Sequence, residues 1–245
     1  MFKHCKSCLV IGISGATCSG KTTLANAINR VISNSIVLNQ DKYYWAENSS
    51  KHTLAKELNH INWELVSAFD NEMLIMSIES NLTKSPDKYL PNTENDTILR
   101  KFDMMTKEYN TIPKKDALFG DVVQNDVNIK QLQALFEPLP KVVIVDGILI
   151  FNHPEILNMC DLKVFVTLDY KTCLDRRKTR SYDPTDGAGY FEKVVYPSYI
   201  NNLEEMKRLD GDNSIKYLNG RSDMLMNFKI IIKQIVNNID TIIDK

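Results

Sequence analysis

Neither sign of charge dominates this chain. Its 30 Lys and Arg side chains stand against 31 Asp and Glu, a net charge of -1 at neutral pH. No global field gathers nucleic acid or an acidic membrane surface, so any anion must be held locally. A disulfide framework is also missing. The five cysteines, at 5, 8, 18, 160 and 173, form an odd set without framework spacing, and no signal-peptide stretch precedes them. A reducing compartment, cytoplasmic or nuclear, is the expectation. Cys5-Lys6-Ser7-Cys8 has the spacing of a zinc or redox pair but lacks a second ligand pair, and it reads as two incidental thiols. No apolar run approaches the roughly 20 residues of a membrane span. There is no internal repeat, and nothing marks an oligomeric state.

What is present is enough for one substantial core. At 245 residues, 43% hydrophobic and 25% charged, the chain is expected to form a single domain over 1–245 carrying an insertion. Leu9 to Ile13 is a short apolar run reading as a buried parallel strand. From Lys21 onward Leu24, Ala27, Ile28, Val31 and Ile32 recur at helical spacing. Further strands are predicted at Ser35 to Leu38, Val142 to Val145, Leu162 to Leu168 and Ile215 to Leu218. Helical stretches rather than tight turns separate them, which predicts βαβ units, a parallel sheet and a three-layer α/β/α fold. Residues 81–140 read as an insertion of mixed structure, with helical patches near Leu99 to Tyr109 and Ile129 to Phe136. The Ile-rich run Met224 to Ile243 reads as a helix packed on the sheet.

Between the first strand and the first helix lies Gly15-Ala16-Thr17-Cys18-Ser19-Gly20-Lys21-Thr22, a complete phosphate-binding loop. Its glycines let the backbone approach phosphate oxygens, and successive N–H groups with the helix N-terminus face one point. Lys21 supplies a point charge for the β and γ phosphates, and the Thr22 hydroxyl can ligate Mg²⁺. The expected chemistry is phosphoryl transfer from Mg-ATP.

Two acids follow strand ends, where ligands bind in such sheets. Asp41 could accept the proton of an attacking hydroxyl. Asp146 could face the metal, directly or through water, or could simply be the turn or cap residue before Gly147. Arg176-Arg177-Lys178-Thr179-Arg180 sits on a predicted helix that Ser181-Tyr182-Asp183-Pro184 breaks, opening a Gly-containing segment over 181–191. That pattern suits a lid whose guanidiniums neutralise the transferring phosphoryl group, although a charge run also suits a solvated face.

Four stretches together resemble the nicotinamide riboside kinases, within the larger group that includes uridine kinases. They are Gly12 through Thr23; Gln40-Asp41 with Tyr43-Tyr44; Asp146-Gly147-Ile148-Leu149-Ile150-Phe151-Asn152; and Arg176 to Pro184 running on to Gly189-Tyr190-Phe191. The likeness spans nearly the whole chain except the insertion. It implies a P-loop nucleoside kinase fold, the cofactors ATP and Mg²⁺, and a small nucleoside as partner rather than nucleic acid or membrane. It implies that ATP is held by Gly15, Ala16, Thr17, Cys18, Ser19, Gly20, Lys21, Thr22 and Thr23, by Arg176, Arg180, Ser181 and Tyr182, and by Arg221, Ser222 and Asp223 against adenine. Thr22, Asp41 and Asp146 would lie on the metal. Asp41, Lys21 and Arg177 would be the catalytic groups. Substrate would touch Asp41, Lys42, Tyr43, Tyr44, Trp63, Glu64, Arg177, Tyr182 and Asp183, with the ring on Tyr44 and Trp63 and the ribose 2′- and 3′-hydroxyls on Glu64. Nicotinamide in its riboside is a pyridinium cation, which favours aromatic faces. The family usually has Asp where Glu64 stands, and the insertion is longer than in compact members.

Overall fold

The computed structural model describes residues 8–32, 34–82, 141–182, 184–211 and 213–243. The expected insertion beyond Leu82, its two helical patches, Cys5 and Asp183 lie outside the described residues.

Five strands form one parallel sheet in the order β2-β5-β1-β6-β7, and the inner ones are built mainly on apolar and β-branched residues. These are β1 (Cys8–Gly15), β2 (Ser35–Asn39), β5 (Lys141–Asp146), β6 (Leu162–Thr167) and β7 (Lys216–Asn219). The predicted strands are all present, with ends moved by one or two residues. A two-residue antiparallel ladder, β3 (Leu54–Ala55) with β4 (His60–Ile61), stands apart. No apolar run announces it in the sequence.

Alternation along the strands divides the interior in two, because successive side chains leave opposite faces. Leu9, Ile11 and Ile13 of β1 pack with Leu24, Ile28 and Val31 of α1 (Lys21–Val31) and with Phe228, Ile231, Ile232 and Ile235 of α6 (Met224–Ile243). The Ile-rich helix therefore covers the sheet, as its spacing predicts. Val10, Val143, Val145 and Phe165 face the other way. They meet Leu74 and Ile78 of α2 (Asn71–Leu82), Ile156 and Leu157 of α3 (Pro154–Met159) and Met206 of α5 (Tyr196–Leu209). Gly12 belongs to this second face, and a Cβ there would stand 2.5 Å from the Phe151 ring. The remaining helix, α4 (Tyr170–Lys178), is capped by Asp169, whose carboxylate accepts from the Thr172 N–H.

The register places the functional strand ends side by side. Asp146 is the partner of Ile13 on one side and of Asn39 on the other. The loop after β1 and the acids after β2 and β5 therefore open on one crevice at the carboxyl edge of the sheet.

Candidate functional site

The phosphate-binding loop has the backbone its sequence demands. Cys18 and Gly20 hold left-handed φ values of 59° and 94°, and a Cβ on Gly15 would meet the Val166 carbonyl oxygen at 2.3 Å. Gly20 caps α1 without any side-chain acceptor, which leaves the first N–H groups of the helix for an anion. Lys21 is buried and its Nζ donates to the Ala16 carbonyl at 3.4 Å. Ser19 Oγ is buried without a partner.

Arg176 ties this loop to the turn after β7. Its Nη1 donates to the Cys18 carbonyl at 3.1 Å and its Nη2 to the Gly220 carbonyl at 3.0 Å. In that turn Asp223 accepts from the Met226 N–H as the cap of α6, and Arg221 lies 3.8 Å from Asp169. Arg221, Ser222 and Asp223 follow Gly220 in this turn and do not line the main cavity.

That cavity, about 520 Å³, lies between the phosphate loop, the turn after β2 and the 181–186 segment. It brings together Thr17, Lys21, Thr22, Asp41, Tyr44, Trp63, Glu64, Arg177, Arg180, Ser181 and Tyr182. It also contains Trp45, Glu47, Ile148, Pro184 and Asp186, which sequence reasoning missed. Two expected substrate contacts lie outside this cavity. Tyr43 is buried in the second core and Lys42 is exposed, and neither lines the cavity. The cause is the 3₁₀ turn Gln40–Tyr43, in which side chains three apart share a face, so Gln40 and Tyr43 both turn inward.

Asp146 is 1% exposed. Its Oδ2 accepts from Asn39 Nδ2 at 3.1 Å, and its Oδ1 is buried without a hydrogen-bond partner. Burial pushes its carboxyl up to about 6, against the pull of the Lys21 ammonium and the neighbouring Thr22 hydroxyl. Asn39 also accepts from the Asp41 N–H at 2.7 Å, so one amide spans both acids.

Aromatic side chains form one wall of the cavity. Tyr44 stacks on Phe69 with centroids 4.1 Å apart and meets Trp63 edge-on at 5.3 Å. Trp63 in turn meets His52 at 4.6 Å, and its backbone N–H donates to the Tyr190 hydroxyl at 3.0 Å. Beside it Glu64 is 7% exposed, and desolvation pushes its carboxyl up to about 7 although Arg177 and Lys21 oppose the shift. Burial and the Glu64 charge also raise the Tyr44 phenol.

Facing the wall, Tyr182 Oη lies 3.4 Å and Arg180 Nη1 3.9 Å from Cys18 Sγ. Burial raises the Cys18 thiol, but contacts with Tyr182, Thr17 and Arg180 outweigh it and leave the thiol more acidic than usual. Arg177 is buried, and its Nη1 donates to Thr17 Oγ1 at 3.0 Å.

Residues 10–186 match the model of the phosphoribulokinase / uridine kinase family. The chain belongs to this family. Among curated members, nicotinamide riboside kinase 1 of Homo sapiens is 26% identical over 211 residues, covering 86% of this chain and 83% of that protein. The nicotinamide riboside kinase of Saccharomyces cerevisiae is 25% identical over 251 residues, 98% and 92% of the two chains. A uridine kinase of Lactiplantibacillus plantarum is 29% identical over 207 residues, 82% and 83%. For a member of the phosphoribulokinase / uridine kinase family, the parallel sheet and the loop between β1 and α1 are the expected frame. The identities by themselves do not separate the two nucleosides named.

Proposed function

We propose that this chain transfers the γ-phosphoryl group of ATP to the 5′-hydroxyl of nicotinamide riboside, giving the mononucleotide and ADP. The observation that carries the reading is a single cavity lined by Lys21, Thr22 and Asp41 together with Tyr44, Trp63 and Glu64.

In this reaction the bond from the 5′-oxygen to the γ-phosphorus forms while the bond from that phosphorus to the bridging oxygen of ADP breaks. Asp41 takes the hydroxyl proton. Lys21 and the free N–H groups at the start of α1 hold the phosphates, and Arg177 and Arg180 offset charge on the moving group. Trp63 and Tyr44 offer aromatic surfaces to the pyridinium ring, and Glu64 accepts from the ribose hydroxyls. Arg221, Ser222 and Asp223 lie beyond Arg176, on the side left for adenine.

The donor set fits Mg²⁺. Among the described residues no cluster of three or more His, Cys, Asp or Glu could cage a metal. However, Asp146 offers a buried, unpaired Oδ1 beside the Thr22 hydroxyl. An ion held there would take its remaining ligands from phosphate and water, the usual habit of magnesium. Thr22 and Asp146 would hold it with Asp41 nearby, and it would supply neutralisation of charge on the β and γ phosphates. The proposal includes a reducing, cytoplasmic or nuclear compartment, and the free thiols Cys8, Cys18, Cys160 and Cys173 agree with it. No helix among the described residues is long and apolar enough to cross a membrane.

Uridine is the competing substrate, favoured by the 29% identity to a uridine kinase. Incubating the purified chain with Mg-ATP and a panel of nicotinamide riboside, uridine and cytidine tests the reading. Turnover of nicotinamide riboside is expected. Turnover of uridine alone overturns the substrate, and intact ATP with every nucleoside overturns the kinase.

A further inference from the structure

Arg177 is held on three sides, and one of its holders has no place in the chemistry described so far. Asp186 accepts from Arg177 Nε at 2.6 Å and from Nη2 at 3.0 Å, a two-point grip on one edge of the guanidinium. Thr17 of the phosphate loop takes Nη1 at 3.0 Å on the other edge. The Tyr182 ring lies under the plane, 4.2 Å from its central carbon. A guanidinium carries five N–H groups in a rigid fork. Three are engaged here, so one N–H remains on each terminal nitrogen for a ligand in the cavity that Arg177 lines.

We propose that Asp186 is a positioning residue for phosphoryl transfer: it sets the plane of the Arg177 guanidinium so that these two remaining N–H groups meet the moving phosphoryl group. The inference rests on the phosphotransfer reading above, not on the identity of the nucleoside.

Two physical facts argue for the assignment. Arg177 is 8% exposed, and a buried cation without a partner is costly, so an anion beside it is needed to keep it charged and in place. The contact with Asp186 raises the Arg177 proton affinity further. A bidentate carboxylate also fixes orientation, which a single hydrogen bond does not. The position of Asp186 along the chain adds a coupling. It lies four residues before Tyr190, which is 1% exposed and accepts the N–H of Trp63. One short segment therefore braces both the phosphate clamp and the aromatic wall.

The test compares Asp186→Asn, Asp186→Glu, Arg177→Ala and the double variant Arg177→Ala/Asp186→Ala. Turnover is measured with whichever nucleoside of the panel the wild type phosphorylates fastest, and melting temperature is recorded for each variant. Asp186→Asn is expected to lower kcat about 10- to 100-fold while KM for ATP changes less than about 3-fold, because orientation rather than ground-state affinity is lost. Asp186→Glu should recover part of kcat. The double variant should be no slower than Arg177→Ala alone, since Asp186 acts only through Arg177. Losses that multiply in the double variant, or full activity in Asp186→Asn, overturn the proposal.

A readout without turnover separates this inference from the kinase reading. In the wild type the Arg177 Nε–H should give a distinct, slowly exchanging proton resonance that Asp186→Asn abolishes. An unchanged resonance overturns the grip even if every nucleoside assay succeeds. Its loss, with no nucleoside phosphorylated, keeps the grip but refutes the role in phosphoryl transfer.

Discussion

Asn39 joins the two acids of the site: its Nδ2 donates to Asp146 Oδ2 at 3.1 Å and its Oδ1 accepts from the Asp41 N–H at 2.7 Å. Because β2 and β5 pair in register at Asn39 and Asp146, a single side chain at the strand end bridges the backbone of the proposed base and the carboxylate proposed to face the metal. Asn39→Ala should therefore lower kcat about 10- to 100-fold and raise the Mg²⁺ concentration needed for half-maximal rate. Magnesium titrations of initial rate check this, and an unaltered magnesium dependence refutes it.

Asp41 lines the cavity while its neighbours Gln40 and Tyr43 are buried. Asp41→Asn keeps the shape and removes the proposed proton acceptor. Turnover should fall about 10²- to 10⁴-fold, with ATP binding by calorimetry nearly unchanged. Weak ATP binding in this variant would point to a role in the donor site instead.

Trp63 and Tyr44 meet edge-on in the cavity wall. A neutral uracil gains no cation–π attraction there, whereas a pyridinium does. Trp63→Leu should raise KM for nicotinamide riboside about 5- to 30-fold and KM for uridine distinctly less. Equal changes for both nucleosides would remove charge recognition as the function of this ring.

Glu64 carries a pH signature. Burial raises its carboxyl to about 7, so the folded chain binds its proton more tightly than the unfolded chain does. The sign follows: stability is greatest below the ordinary carboxylate range and declines as pH rises towards about 7. Asp146, raised to about 6, contributes in the same direction at lower pH. Between pH 6.5 and 8 the melting temperature of the wild type should fall more than that of Glu64→Gln. If Glu64 accepts from the ribose as proposed, nucleoside binding should move the opposite way, because only the ionised form is a pure acceptor. KM for the nucleoside should drop as pH rises over that window in the wild type and stay flat in Glu64→Gln.

The parts of this molecule that local pattern controls are readable from the chain. The loop from Gly15 to Thr22, its flanking strand and helix, and the acids after β2 and β5 all follow from short-range rules about glycine, periodicity and strand ends. What escapes depends on packing or phase. Tyr43 and Tyr44 are adjacent and chemically alike, and only the 3₁₀ turn sends one into the core and the other into the cavity. Asp186 looks like any acid in a polar segment until folding brings it to Arg177. Trp45 and Glu47 enter the cavity through a connection with no periodic signal. The β3–β4 ladder is too short for alternation to show.

The sheet order also governs how the protein is made. Among the described residues β2 has β5 as its sole neighbour in the sheet, and β5 lies between β2 and β1. β2 ends at Asn39 and β5 begins at Lys141, so a ribosome must deliver everything in between before the first two strands have their shared partner. During that interval apolar strands lack the hydrogen bonds that will bury them. A nascent chain stalled ahead of Lys141 should therefore expose apolar strands to aggregation, and slowed translation across the 83–140 stretch should lower the soluble yield without altering the finished enzyme.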